Sequence, residues 1–420
     1  MKTNYLVEPE KEIYTRNEIS IPAKVENSSP HITVKCRRSI TEIDEKLWDS
    51  LLSGSNVFHS HTFLKCIEDA RVENSKFWYL LFFVGEKPVG SAVLSLFAVS
   101  LDLLSGKLIA QLCKFIRKFF PGFMKIKILF CGTPVSAGKN NLVICTESLK
   151  NKIIDLLVNQ MKTIAKENKV IMLCLKEICA QECEWLNPDA DYNFIRARSI
   201  PFVKLYLRKE WNTFSDYLKA MRYNYRRQIK HSLRKLSIKE IDSQFSPSNP
   251  GKDIPQLIVK RPGKNDASAF HKLYLEVMEK AENKLEILNL EFFENVFFNI
   301  KDICYLVSLV DKEKELGSAL VMHLNHTMVF FLIGLDYDQN RKYDTYFNLI
   351  YRIISLAIEK KCSMLELGQT SYYFKQRCGG SCEEMFFYIK SLNKPLHFLL
   401  SFFQPLLFPR TEVNKLHVFH

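Results

Sequence analysis

The densest group of chemically capable side chains lies between Tyr217 and Lys239, where eight Lys/Arg occur and no acidic residue. Leu218, Met221, Tyr225, Ile229, Leu233 and Leu236 recur at three- and four-residue spacing. Lys219, Arg222, Arg226, Lys230 and Arg234 follow one residue on, and Arg227 and Lys235 widen the charged stripe. This spacing predicts one amphipathic helix with an apolar face for the core and a cationic face. Like charges four residues apart repel. An uncompensated stripe is therefore expected either to bind an acidic group, with Arg222, Arg226 and Arg227 as its contacts, or to stand as a solvated face. The whole chain shares the bias: 420 residues carry a net charge of +13. Such a surface attracts nucleic acid, an anionic membrane or a phosphorylated cofactor.

Metal and disulfide chemistry find no pattern. The close cysteine pairs among twelve cysteines, Cys179/Cys183 and Cys378/Cys382, have three residues between them and match no C-x-x-C motif. No His/Cys set completes a zinc site. No metal is expected, and the thiols read as reduced and mostly buried in a cytoplasmic protein.

The elements that must position any site centre on Cys304–Gly380. Two β-rich runs, Cys304–Val310 and Leu316–Met322, flank the charged tip Asp311–Glu315 and predict an antiparallel hairpin. A third run follows from Thr327 to Leu335, then a polar loop, Asp336–Tyr343. Phe347, Ile350, Tyr351, Ile354 and Ile358 predict a helix over 344–361 with Asp344 or Thr345 as N-cap. A short strand, Met364–Leu367, runs into Gly368–Gly380. Upstream, Ile32–Arg37 reads as a strand and Ile43–Leu52 as a helix with Thr41 as N-cap. A second helix begins at Ser60 or Thr62. Lys76–Val84 and Val89–Val99 form an earlier hairpin, Leu149–Glu167 a helix, and Phe202–Leu207 the last strand of the first half.

The two hairpins repeat. Tyr79-Leu80, Val84 and Gly90-Ser-Ala-Val-Leu94 answer Tyr305-Leu306, Val310 and Gly317-Ser-Ala-Leu-Val321, about 225 residues on. This divides the chain into a flexible tail (1–30), an N-terminal domain (31–210), a C-terminal domain opening on the basic helix (211–394) and an apolar tail (395–420). Two greasy segments, 92–130 and 395–409, are too short or too interrupted to span a membrane. With basic neighbours either could lie on a membrane surface, burial in the fold being the alternative.

Strand, two helices, hairpin, long strand, helix, strand resembles the GNAT acetyltransferase fold, and two copies in tandem resemble the FemAB-like group. Tyr217-Leu-x-x-Met-x-x-x-Tyr-Arg-Arg-x-Ile-x-x-x-x-Arg-Lys-Leu236 looks like that group's arginine-rich helix. Tyr372-Tyr-Phe-Lys375 within Gly368–Gly379 looks like its G…Y-x-x-K…G ending, and Phe58-His-Ser60 with Phe63-Leu64 like its first-domain entry. The resemblance implies an α+β fold of tandem GNAT-like domains, each a mixed, mostly antiparallel sheet flanked by helices. It implies N-acyl transfer from acyl-CoA to an amine on an amino acid, amino sugar or lipid precursor. The rivals are a Fem-type transferase using aminoacyl-tRNA and an inactive basic module that binds membrane or nucleic acid.

In the GNAT fold the donor's phosphates sit at the start of the helix after the long strand, where backbone N–H groups and the dipole favour anions. The matching residues are Arg341, Lys342, Tyr343, Thr345 and Tyr346. The glycine-rich pyrophosphate loop of GNAT enzymes is absent from 337–346, and Asp344 would repel an anion. An amine nucleophile must lose a proton, and His323, Asp336 and Glu366 are the candidate bases. Lys375 resembles the family's lysine and is expected to neutralise a phosphate or the tetrahedral oxyanion, unless it is a solvated loop residue. Tyr373 and Tyr372 either line the acceptor channel or pack.

Overall fold

The β-rich apolar runs become two large sheets between layers of helix. The computed structural model describes residues 31–52, 56–100, 125–135, 137–186, 192–238, 254–281, 286–408, 413 and 415–420. The expected N-terminal tail and residues 101–124 of the first greasy segment lie outside them. The strands are β1 (Ile32–Arg37), β2 (Lys76–Val84), β3 (Lys87–Ser100), β4 (Lys125–Cys131), β5 (Leu142–Ile144), β6 (Met172–Cys179), β7 (Ile195–Arg198), β8 (Phe202–Tyr206), β9 (Gln256–Lys260), β10 (Cys304–Asp311), β11 (Lys314–Leu324), β12 (Thr327–Leu335), β13 (Met364–Gly368), β14 (Ser381–Glu383) and β15 (Met385–Ser391). One sheet has the order β1-β2-β3-β4-β6-β15-β7, with β5 paired to β3, and the other β14-β8-β13-β12-β11-β10-β9.

The repeat holds at the level of register. Gly90 pairs with Phe82 just before a bulge at Phe82/Phe83, and Gly317 pairs with Leu309 just before a bulge at Leu309/Val310. Gly317 is small for a reason: a Cβ there would stand 2.6 Å from Thr345 Cγ2. Its absence lets the Thr345–Glu359 helix settle close on the strand. That helix is buried almost all round, between the second sheet and the basic segment.

The halves exchange their last strands. β8, expected as the last strand of the first half, pairs antiparallel with β13 and β14 in the second sheet. β15 pairs antiparallel with β6 and β7 in the first. β-propensity shows that a strand exists, not which edge it joins. Both open edges, β6 and β13, are thereby covered, which removes a template for unwanted pairing.

An aromatic core joins the halves. The helices His61–Asp69, Asp266–Lys280 and Leu290–Asn299 bring together Phe58, Phe63, Phe292, Phe293 and Phe331. The Phe58–Phe331 and Phe63–Phe292 ring centroids lie 5.1 and 6.2 Å apart. Burying each such ring contributes roughly 1.5–3 kcal/mol.

Local expectations are corrected in four places. The helix expected over 43–52 begins later, at Glu45, with Asp44 as its cap through Leu47 N–H (2.8 Å). The basic helix is two helices, Phe214–Ala220 and Tyr223–Arg234. Met221 forms a bridge with Phe419, and Arg222 N–H donates to Val418 O (2.9 Å), so the returning C-terminus breaks the periodic run. The polar loop after β12 contains a helix, Tyr337–Tyr343. The stretch after Gly368 contains another, Tyr372–Arg377. Among the described residues every cysteine is a free thiol, no group of three or more His, Cys, Asp or Glu could hold a metal, and no helix is long and apolar enough to cross a membrane.

Candidate active site

β12 and β13 run parallel only from Thr327–Val329 against Met364–Glu366. Beyond that β12 continues to Leu335 beside β11, while β13 bulges and Gly368 pairs with Val203 of β8. The strands part, leaving the β12 edge from Phe330 onward without a partner on the β13 side. Lys375 sits in this opening. Ser371, with φ of +54°, turns the chain into the Tyr372–Arg377 helix, which folds Lys375 inward to 1 % exposure. Its Nζ lies 5.3 Å from the Phe330 ring centroid, and no carboxylate pairs with it among the described residues. Burial lowers its pKa from the ordinary 10.5 to about 7, against a weak upward pull from Cys378 and Cys382. The solvated-loop alternative for this lysine does not hold. A lysine in a polar stretch is most often exposed, so only the resemblance marked it.

A cleft of about 320 Å³ adjoins the opening, with Ser371 common to both. Val277, Ile333, Leu335 and Phe347 give it an apolar wall, and Asn340, Arg341 and Asp344 a polar rim. Its volume falls within the range of small-molecule sites. Of the residues expected to meet the donor, Arg341 and Tyr346 line it. Lys342 and Thr345 are not in its lining: Lys342 Nζ lies over the Tyr343 ring (4.6 Å to the centroid), and Thr345 is buried, its Oγ1 without a hydrogen-bond partner among the described residues.

The helix start is prepared differently from the expectation. Asn340 Oδ1 accepts from Tyr346 N–H (3.0 Å), so one of the free N–H groups is already engaged. Asp344 is in the left-handed region (φ +48°), and its carboxylate accepts from Ser232 Oγ (2.8 Å) and Lys235 Nζ (2.7 Å). The charge expected to repel an anion is therefore paired by the basic helix. Asn348 Nδ2 strengthens the join by donating to Tyr343 O (2.7 Å) and Ser232 O (3.2 Å). Sequence reasoning missed Asn340 and the Asp344–Lys235 pair. An Asn just ahead of a helix start was the available signal for the first; nothing local marks the second.

The candidate bases are dispersed. Asp336 caps the Tyr337–Tyr343 helix through Asp338 N–H (3.1 Å) and Gln339 N–H (3.2 Å), and its other oxygen accepts from Lys314 Nζ (2.7 Å). Burial raises its pKa, but Lys314 and the backbone donors outweigh that and hold it below the usual carboxylate range. Glu366, 2 % exposed, pairs through Oε1 with Lys139 of the first half (2.5 Å), while Oε2 has no hydrogen-bond partner among the described residues. His323 is on β11 with its pKa lowered by partial burial and by Lys360. Tyr373 is exposed and its hydroxyl accepts from Arg377 Nη1 (3.4 Å); Tyr372 packs half-buried on the core.

Arg222, Arg226 and Arg227 line the outer surface of the basic helix, Arg227 over the exposed Tyr223 ring (5.8 Å). That helix is tied to the lysine-bearing one: Arg377 Nε donates to Gln228 Oε1 (3.0 Å). In the first half β4 and β6 also part, after Cys131 and Leu175. There the opening is filled. Lys176 lies over Gly132, where a Cβ would meet Lys176 Cγ at 2.6 Å, and its Nζ donates to Thr133 O (3.0 Å).

Comparison with known proteins agrees with this architecture. The FemAB_like family profile, described as peptidoglycan biosynthesis/recognition, matches residues 39–379. A solved FemX structure covers 87 % of this chain and 100 % of its own at 11 % identity, with a TM-score of 0.54. A tandem GNAT protein from the clavulanic acid biosynthesis pathway covers 86 % and 99 % at 10 % identity, with a TM-score of 0.50. In sequence, a putative 8-amino-7-oxononanoate synthase 2 of Mycobacterium tuberculosis is 21 % identical over 350 residues, 80 % of this chain. The chain spans 42 % of that relative's length.

Proposed function

The chain belongs to the FemAB_like family, and from that premise we propose that it is an N-acyltransferase whose working site is the opening between β12 and β13. The observation that carries the reading is Lys375: a buried lysine with no counter-ion among the described residues, facing an unpaired strand edge beside a cleft of about 320 Å³. We assign acyl-CoA as donor and an amine of an amino acid, amino sugar or lipid precursor as acceptor. The apolar wall of the cleft suits an acyl or pantetheine chain, and Arg341 at its rim suits a phosphate.

Attack by a neutral amine on the acyl carbonyl forms a tetrahedral oxyanion; its collapse breaks the C–S bond and expels the CoA thiolate, which takes up the proton given off by the amine. Burial lowers the Lys375 pKa to about 7 and so favours its neutral form. An anion placed beside it, whether phosphate or oxyanion, restores its positive charge. Beside the oxyanion the ammonium stabilises charge that exists only on the reaction path, the kind of contact that raises kcat; beside a phosphate it strengthens donor binding instead. Asp336 is left to its capping role and Glu366 to its pair with Lys139, so neither is assigned the proton.

A second reading, transfer from aminoacyl-tRNA, is favoured by one observation. Arg222, Arg226, Arg227, Lys230 and Arg234 form a stripe with exposed Tyr223 among them, the composition of a phosphate-tracking surface. Calorimetric titration with acetyl-, medium- and long-chain acyl-CoA, in buffers of different ionisation heat, tests the primary assignment. Micromolar binding with proton uptake near pH 7, lost in Lys375→Met, is expected. No binding to any acyl-CoA, with salt-sensitive retention of aminoacyl-tRNA, would move the donor to the second reading.

A further inference from the structure

We propose that the C-terminal helices, Lys394–Phe402 and Gln404–Leu407, dock the protein on the surface of a bilayer containing anionic phospholipid. The inference is independent of the donor and acceptor. The first helix has two apolar sides. Leu396 and Leu400 face inward and pack on the outer face of the first sheet, against the cluster that contains Phe97, Ile128, Met172 and Ile389. On another side Phe398, Phe402 and Leu406, at four-residue spacing, stand 70 %, 69 % and 76 % exposed, with Leu399 and Phe403 beside them. Phe402 and Phe403 meet edge to face at 5.1 Å, so the exposed rings form one patch. Its area is on the order of 600 Å², at the upper end of what monomeric proteins leave exposed.

Charge complementarity selects the occupant. No acidic residue occurs from Met385 to Phe408. Lys394 stands at the start of the first helix, the Arg196 carbonyl accepts from Gln404 Nε2 (2.5 Å) to hold the second, and the chain as a whole carries a net charge of +13. A short helix pair with an apolar side, a lysine at its start and no acids, on a strongly basic chain, has the make-up of an interfacial anchor that lies in the headgroup plane. The helix is secured to the sheet through its opposite side, so the patch is presented rigidly.

Flotation of the full chain with phosphatidylcholine vesicles, and with mixed phosphatidylcholine/phosphatidylglycerol vesicles, tests the proposal. Wild type is expected to float with the mixed vesicles and less with the zwitterionic ones. Phe398→Ser/Phe402→Ser/Leu406→Ser alters only exposed side chains and should lower the partition coefficient roughly 100-fold. Lys394→Glu should lower it a few-fold on anionic vesicles alone. Phe298→Ser, an equally exposed ring on another helix, should leave binding unchanged. The proposal is overturned if wild type stays in the aqueous fraction, or if the triple variant floats as well as wild type. It is also overturned if sedimentation shows a dimer that the triple variant loses while neither protein floats, because the occupant is then a second copy.

Discussion

Replacing Lys375 by methionine keeps the length and apolar stem of the side chain and removes only the ammonium. The folded lysine has a pKa of about 7, the unfolded one about 10.5. Between those values the unfolded chain binds more protons, so the wild type should gain stability as pH rises through this window. Below pH 7 both states are protonated and the cost of burying the charge is fully present. At about 1.36 kcal/mol per pH unit, that cost reaches about 5 kcal/mol. Lys375→Met should therefore unfold at higher urea than wild type at pH 6, by up to about that amount, and the gap should narrow steadily to nothing near pH 10.5. Urea denaturation of both proteins at pH 6, 8 and 10 reads the effect directly. Parallel pH dependences would refute the reasoning, because they would mean the ammonium is solvated or paired in the folded state. The same variant should lose acyl transfer, a gain in stability bought at the site's expense.

Glu366→Gln removes the partner of Lys139 across the two halves, and equilibrium unfolding should show a loss of about 2 kcal/mol, less than a fully buried pair because Lys139 is partly exposed. Gly317→Val drives a side chain into Thr345, so a loss of roughly 1–3 kcal/mol is expected, with a weakened cleft read as a raised KM for the donor. Arg226→Glu/Arg227→Glu should leave thermal stability within about 0.5 kcal/mol. The same variant should reduce retention on tRNA while sparing acyl-CoA affinity, which separates the two donor readings in one protein. Burial of His59, bonded to Ser91 Oγ at 2.9 Å, lowers its pKa to about 3. Its neutral form is the folded one, so stability should fall as pH drops from 6.5 towards 3, and His59→Gln should flatten that slope in acid unfolding.

Much of the frame was legible because it is local. The Cys304–Leu335 hairpin and third strand, the Thr345–Glu359 helix and the repeated Gly90 and Gly317 all follow from period, turn chemistry and self-similarity. What escaped depends on partners distant in sequence. The break at Met221–Arg222 comes from residues 418–419, and no periodicity within the helix announces it. Asp336 at a strand end reads equally well as a base or a cap, and only Lys314 and two N–H groups decide it. Lys375 was found through its resemblance, but its environment was not. Burial of a lysine on a six-residue helix is set by Phe330 and the parting of two strands, neither visible in its neighbourhood.

The exchange of β8 and β15 has a consequence for how the protein is made. During translation the first sheet is without the strand that covers β6 until residue 391 emerges, some two hundred residues after β7. The amino-terminal half cannot finish when its own codons have been read; it must wait, edge exposed, for Met385–Ser391. A stop codon shortly before Met385 would thus damage the half made first, and a gene cut in two near residue 210 would yield two products that each lack the strand the other carries.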